Sequence, residues 1–298
     1  MKLAAIDIGS NAARLLITDV IIGPQGITDF IKVALVRVPL RLGFDVFDKG
    51  EISAPRAEKI LKTIKAYKLL LEVYEVRHLK VCATSAMRDA TNAGEIIKKI
   101  HAETGIQIQI ISGEEEASLI YENHIAENMN RDESYLYIDV GGGSTELTFF
   151  SDTKLIFKES YNIGTIRLLK NQVSEVLWDQ MKEFISKKTQ GYHHVTAIGS
   201  GGNINKIFSI SRKKEGKPLS LDLLRNYYKE FSTLSIPQRI NLYKLREDRA
   251  DVIVPALLIY INVMRWANTE EIYVPKIGLA DGLIHTLYEE IRQMGKAE

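Results

Sequence analysis

One frame occurs twice in this chain, and a repeated frame decides architecture before any single motif does. Ala5-Ile-Asp-Ile-Gly-Ser-Asn-Ala-Ala-Arg-Leu-Leu-Ile17 overlays the stretch Tyr135 to Phe150, with Asp7 on Asp139, Gly9 on Gly141, Arg14 on Glu146 and Leu15 on Leu147. Each copy reads as an apolar strand ending in an aspartate, a short turn and a second apolar strand. Such a turn can be a plain hairpin, which also favours glycine. It can equally be an anion cradle, because Gly141, Gly142 and Gly143 tolerate φ > 0 and leave room for a phosphate against converging amides. The repeated Ile-Asp frame favours the cradle, since a hairpin turn makes no demand on the residues before it.

Ser144 and Thr145 add hydroxyl donors to the second turn. Asp139 and Glu146 flank it, and two carboxylates beside a phosphate require a cation between them, so this pair is the candidate Mg²⁺ site. Asp7 is the matching carboxylate of the first copy.

At 298 residues the chain has room for two domains of about 150 residues each. Hydrophobic residues at 45% and charged residues at 26% are ordinary for a globular protein, and a net charge of +1 offers no excess of positive charge for nucleic acid or membrane surfaces. Cys82 is the only cysteine, which fits a reducing cytoplasm. No signal peptide is apparent, because Asp7, Asn11 and Arg14 interrupt the apolar start. The longest uncharged apolar run, Val252 to Met264, is too short to span a bilayer and reads as a buried helix bent near Pro255.

Taken in order, Leu3–Ile8, Arg14–Ile22 and Thr28–Val38 read as an antiparallel triplet with turn signals at Gly23-Pro24 and Gly26. Ser53 caps a helix carrying Ile60, Ile64, Tyr67, Leu71 and Tyr74 at helical spacing. The buried strand Leu79 to Ala83 opens into Thr84-Ser-Ala-Met-Arg-Asp-Ala-Thr-Asn92, where Arg88 is either an anion ligand or a surface partner of Asp89. Asn92 and Glu95 have capping-box spacing for a helix that Gly105 ends, and Ile106 to Ile111 returns as a strand. Ser112-Gly-Glu-Glu-Glu-Ala117 then starts a helix through Leu119, Ile120 and Ile125. Its glutamates suit a helix N-terminus, yet three exceed what a cap needs, so one is a candidate general base.

Residues 128 to 133 form a polar loop, and the second copy begins at Ser134 with strands 135–140, 145–151 and 154–160. Ile163 to Leu168, a helix from Glu175 to Lys187 and the strand His194 to Ile198 follow. Gly199-Ser-Gly-Gly-Asn203 then opens a helix and is a second candidate cradle. Arg212 to Lys217 reads as a solvated basic loop or a polyanion track. His193 and His194 lack a third ligand at metal spacing and read as structural. Residues 221 to 247 form two helices broken near Ser235 to Pro237, and the strand Glu271 to Pro275, a turn at Gly278 and a last helix close the chain.

Two such units resemble the actin-like fold of sugar kinases, acetate kinase and Hsp70. Within it, Ile6-Asp-Ile-Gly-Ser-Asn11, Ala83 to Ala90, Ile111 to Ala117, Ile138 to Glu146 and Ala197-Ile-Gly-Ser-Gly-Gly-Asn203 are similar to the signatures of the exopolyphosphatase and guanosine pentaphosphate phosphohydrolase (Ppx/GppA) family. Arg249-Ala-Asp-Val252 and Ile277 to Leu283 resemble its later motifs. The resemblance implies an α/β fold of two actin-like, ribonuclease H-like domains, residues 1–122 and 123–298. Each would hold a mixed five-stranded sheet with flanking helices. The active site would lie in the interdomain cleft, a hinge near 117–134, and a last helix from about 282 that packs back on the first domain.

The resemblance further implies that Glu116 is the base that activates water, with Glu115 its nearest rival. Asp139 and Glu146 would hold Mg²⁺, with Mn²⁺ as the alternative ion and Asp7 as a further ligand. Gly9, Ser10, Asn11, Arg88, Gly141 to Thr145 (Gly142, Gly143 and Ser144 included) and Ser200, Gly201, Gly202 and Asn203 would bind phosphate. The substrate would be inorganic polyphosphate or guanosine penta- or tetraphosphate, in the cytoplasm, with no nucleic acid or membrane partner and a homodimer as the further candidate partner. Two departures stand out: Ala12 follows Asn11 where the family carries serine, and the chain ends after the two-domain core. A non-catalytic sensor of the same ligands and an ATP-dependent kinase of the same fold are the alternatives.

Overall fold

The structure is a computed structural model that describes the chain except residues 24–27, 117, 120–132, 153, 193, 276–277 and 295–298. Pro24, Gly26, Ala117, Ile120, Ile125, the loop at 128–132, most of the expected hinge and His193 therefore lie outside the described residues. The chain divides into two compact units, Met1–Asn123 with Gly278–Glu298, and His124–Ile277.

The first unit is built on β1 (Lys2–Ile8), β2 (Ala12–Ile22), β3 (Thr28–Pro39), β4 (His78–Ala83) and β5 (Gln109–Ile110), in the order β3-β2-β1-β4-β5. The first three are antiparallel, and β4 and β5 run parallel to β1 and β4. Helix α1 (Gly43–Lys49) follows β3, and α2 (Ala54–Val73) comes next. Ile60, Ile64, Tyr67 and Leu71 of α2 are buried as their spacing requires, and the Tyr67 phenol donates to the carbonyls of Ala13 and Val36. Burial pushes that phenol well above the ordinary tyrosine range.

Helix α4 (Ala93–Thr104) has no side-chain cap from Asn92, whose amide instead pairs with both backbone groups of Ile52 at 3.0 and 2.8 Å. Ser53 precedes α2 without a side-chain cap bond. The strand expected over 106–111 contracts to two residues, because only Cys82 and Ala83 of β4 reach it. Helix α3 (Ser85–Asp89) occupies the polar stretch after β4, and α5 begins at residues 113–116.

The second unit repeats the plan with β6 (Ser134–Val140), β7 (Thr145–Ser151), β8 (Lys154–Tyr161), β9 (Val195–Ser200) and β11 (Glu271–Tyr273). Its order β8-β7-β6-β9-β11 matches the first sheet strand for strand, and the short β10 (Leu219–Ser220) adds a sixth, antiparallel edge. Between these strands lie α6 (Thr165–Leu169), α7 (Glu175–Thr189), α8 (Gly202–Ser211), α9 (Leu221–Thr233), α10 (Ile236–Tyr243), α11 (Glu247–Ala250) and α12 (Ile253–Trp266). Ser235 and Gln238 form the capping box that separates α9 from α10.

Helix α12 supplies the centre of this core, with Leu257, Ile259, Tyr260, Val263 and Met264 buried against Leu136, Ile138 and Phe231. Each such aliphatic side chain contributes about 2 kcal/mol by leaving water. Pro255 falls in the first turn of α12, where its missing N–H has no intrahelical acceptor to reach, so it starts the helix instead of bending it.

Helix α13 (Leu279–Met294) belongs to the first unit. Its Leu283, Ile284 and Leu287 pack on Leu3, Ala5 and Leu16, and its Asp281 pairs with Lys32 at 2.6 Å. A Cβ at Gly282 would overlap the Leu119 carbonyl, so glycine is required for this approach.

Candidate functional site

In the first unit, Asp7 ends β1 and stands directly opposite Arg14 on β2. The Arg14 guanidinium lies 2.5 Å from the Asp7 carboxylate, which is almost fully buried. The turn between them is closed by Gly9 N–H donating to Ala12 O at 3.0 Å. Its carbonyls are taken from behind: Ser10 O accepts from Gly43 N, and Asn11 O accepts from the amides of Leu40 and Arg41. The Ser10 and Ser85 hydroxyls share one hydrogen bond at 2.8 Å, which leaves one hydroxyl proton of the two for a ligand. Arg88, in α3, donates to the Ile111 carbonyl at 2.8 Å.

The two rival glutamates separate clearly. Glu115 is exposed and caps its own helix, accepting from Ser112 N at 2.7 Å while its N–H donates to Ser112 Oγ at 3.1 Å. Glu116 is only 8% exposed. Cys82 lies in the same unit, and burial, followed by the charges of Asp7 and Glu116, pushes its thiol well above the ordinary range, so it is no nucleophile at neutral pH. Glu115→Gln keeps the cap, since glutamine can accept from Ser112 N as Gln238 does from Ser235 N. It should lower stability by no more than about 0.5 kcal/mol, the loss of a charge at the helix start, read as a shifted denaturation midpoint, with kcat almost unchanged.

In the second unit the same device carries the opposite charge. Asp139 of β6 stands directly opposite Glu146 of β7, in the register that pairs Asp7 with Arg14. One carboxylate oxygen of each lies within 4.8 Å of the other. Glu146 is 3% exposed, and its Oε1 accepts from Ser160 Oγ at 3.1 Å. Like charges facing each other across two strands destabilise the pair unless a cation joins them. Oxygen donors of this kind suit a hard divalent ion, so the residues present fit Mg²⁺ or Mn²⁺. The first unit meets the same requirement with an ion pair, the Arg14 guanidinium against the Asp7 carboxylate.

The glycine turn is clamped as its counterpart is. Gly141 N–H donates to Ser144 O at 2.9 Å, and the start of α6 takes the turn's carbonyls: Thr165 N donates to Gly141 O at 3.0 Å and Ile166 N to Gly142 O at 2.8 Å. Arg167 Nε donates to Gly143 O at 2.8 Å. With the carbonyls held this way, the N–H groups of Gly142 and Gly143 donate to nothing among the described residues. Ser144 is buried beside them, whereas the Thr145 hydroxyl gives its proton to Ile163 O at 2.5 Å.

Ser200 pairs in parallel register with Asp139, and its buried hydroxyl has no hydrogen-bond partner among the described residues. Gly201 follows with φ 103°, and a Cβ there would sit 2.8 Å from Asp139 Oδ1, so only glycine fits. Gly202 and Asn203 begin α8. The Tyr260 phenol donates to Ser200 O, fixing the end of β9. Burial first, then the carboxylate of Asp139, pushes that phenol well up, so it stays a donor. Ser85, Gly164, Arg167 and Tyr260 were not read as site residues. Only Ser85, in a hydroxyl pair after a buried strand, carried a local signal.

Two sheets of one strand order, each with a clamped polar turn at the end of its first strand, define the actin-like fold. The chain belongs to the Ppx/GppA phosphatase family, which residues 26–290 match. It is 29% identical over 244 residues to a bifunctional 3-dehydroquinate synthase/phosphatase of Fusobacterium nucleatum, covering 80% of this chain and 35% of that protein. It is 25% identical over 297 residues to a guanosine-5′-triphosphate,3′-diphosphate pyrophosphatase of Aeromonas salmonicida, covering 95% of this chain and 59% of the other. The chain thus spans between about a third and three fifths of these curated relatives. The crystal structure of an exopolyphosphatase from Cytophaga hutchinsonii superposes with a TM-score of 0.84 at 24% identity, covering 97% of this chain and 98% of that one. Among the described residues no helix is long and apolar enough to cross a membrane.

Proposed function

We propose that the chain is a Mg²⁺- or Mn²⁺-dependent phosphoanhydride hydrolase of the cytoplasm that releases the terminal phosphate of inorganic polyphosphate or the 5′ phosphate of guanosine pentaphosphate. The observation that carries this reading is the pair of opposed carboxylates, Asp139 and Glu146, flanking a turn in which the N–H groups of Gly142 and Gly143 donate to nothing among the described residues. Family membership supports the reaction class, and the single buried cysteine fits the reducing compartment.

The roles follow from the chemistry of each group. The N–H groups of Gly142 and Gly143, with the Ser144 and Ser200 hydroxyls, hold phosphate oxygens. Ser10, Asn11 and Arg88 add donors from the first repeat, and Gly9, Gly141, Gly201, Gly202 and Asn203 shape the turns. Asp139 and Glu146 hold the divalent ion, which when bound neutralises phosphate charge. Asp7 is left to Arg14. Glu116 takes a proton from water as its oxygen bonds to the terminal phosphorus and the bond to the bridging oxygen breaks. This is phosphoryl transfer by positioning and charge neutralisation, with no protein nucleophile.

The test is phosphate release by the purified protein from short polyphosphate, long polyphosphate, guanosine pentaphosphate and ATP, each with Mg²⁺ and with Mn²⁺. Release from one of the first three names the substrate. Transfer from ATP to a sugar or acid, or binding with no release from any, would contradict the proposal.

A further inference from the structure

Helix α12 carries one buried polar group that neither its core nor the proposed reaction uses. Its other buried positions, from Ile253 to Met264, are all apolar, and Tyr260 among them is 1% exposed. Phenylalanine would bury the same ring in that core, so the hydroxyl needs a separate reason. A buried hydroxyl left without a partner costs stability. This one has its partners at the ends of two strands.

The Tyr260 hydroxyl donates to Ser200 O, the carbonyl of the peptide that joins Ser200 to Gly201. Burial and then the charge of Asp139 push the phenol up, and a hydrogen bond with the Val140 main chain pulls it back only in part, so it stays protonated. Val140 is the last residue of β6, and Ser200 is the last of β9. The parallel pairing of these strands ends at Asp139 and Ser200. One side chain therefore meets both strands where their ladder stops and where each opens into a glycine turn.

Glycine torsions turn easily, so local sterics alone do not hold the Ser200–Gly201 peptide in one plane. A Cβ at Gly201 would stand 2.8 Å from Asp139 Oδ1, 3.3 Å from Val140 O and 3.6 Å from the Tyr260 hydroxyl, which gathers all three around one α-carbon. Rotation of that peptide would move the Ser200 hydroxyl, which is buried without a hydrogen-bond partner among the described residues, and would change the contact with Asp139. We infer that Tyr260 is a positioning residue, which holds the Ser200–Gly201 peptide so that the Ser200 hydroxyl and the Asp139 carboxylate keep one fixed geometry toward a bound phosphate and its ion. Buried as it is, the phenol acts through these two groups. Its role toward phosphate rests on the hydrolase reading, whereas the tether itself does not.

The experiment takes wild type, Tyr260→Phe, Ser200→Ala and the double variant, each checked by its urea midpoint, through two measurements. The first is amide hydrogen exchange without ligand. Tyr260→Phe should speed exchange about fivefold, the equivalent of one net hydrogen bond, in segments covering 139–143 and 199–203, and leave α7 and α12 as in wild type. No change, or equal speeding throughout the unit, overturns the tether. The second is the affinity for inorganic phosphate with Mn²⁺ present. Each single substitution should weaken it about fivefold, and the double variant should lose no more than that, because both act on one contact. Unchanged affinity in Tyr260→Phe, or an additive loss of about 25-fold in the double variant, overturns the positioning role. Failure of the hydrolase reading is separate: wild type that binds no phosphate contradicts that reading, and the exchange pattern still decides the tether.

Discussion

Glu116→Gln is expected to lower kcat by about 10³-fold while leaving KM within a small factor of wild type. Glutamine matches glutamate in shape but accepts no proton from water, and loss of a positioned base costs on the order of 10² to 10⁴ in rate. A fall in kcat and kcat/KM together, without a rise in KM, is the sign of an interaction made only in the transition state. Glu115 is the control. Its carboxylate is engaged with Ser112 N at the helix start and is exposed, so Glu115→Gln leaves turnover almost unchanged. Steady-state kinetics on both variants checks the assignment. Full activity in Glu116→Gln, or the large loss falling on Glu115→Gln, would reverse the roles.

Gly164→Ala is expected to destabilise the second unit by about 3 kcal/mol and to abolish activity. The residue has extended backbone angles that alanine adopts freely, so the cost is steric and not conformational. A Cβ there would meet Gly142 O and the carbonyl carbon of Gly143 well under 3.0 Å, and both are backbone atoms of the glycine turn. Relieving the overlap means moving the turn, which breaks the bonds from Thr165 N and Ile166 N that orient its amides. Overpacking costs about 1 to 3 kcal/mol, and backbone against backbone is the stiff end of that range. Gly141→Ala is the milder comparison, because its nearest contact, Ser144 O, is 3.1 Å away. Urea denaturation midpoints and kcat for the two variants check this. A Gly164→Ala protein that unfolds at the wild-type midpoint would refute the clamp.

Much of this was legible in the sequence because it is local. The strand-turn-strand frame, the spacing of Ile60, Ile64, Tyr67 and Leu71, and Gly105 at the end of α4 each follow from neighbours within a few residues. The repeat also aligned Arg14 with Glu146, and the matching cross-strand registers give that alignment its physical meaning. What escaped depends on distant partners. Gly164 is demanded by a turn far upstream, and Asn92 has capping-box spacing but is claimed by the Ile52 peptide. Tyr260 reads as one more residue of an apolar helix until β9 brings the Ser200 carbonyl to its hydroxyl. The helices α1 and α3 are too short to show a periodicity at all.

The central claim is that the second turn carries a divalent ion where the first carries a guanidinium. A titration of the protein with Mn²⁺, followed by its electron paramagnetic resonance signal, tests this most directly. The account predicts one bound Mn²⁺ per chain, competed by Mg²⁺, and at least about tenfold weaker binding in Glu146→Gln, since even indirect supports of a metal site cost that much when lost. No bound Mn²⁺ in the wild type, or an unchanged affinity in Glu146→Gln, would contradict it.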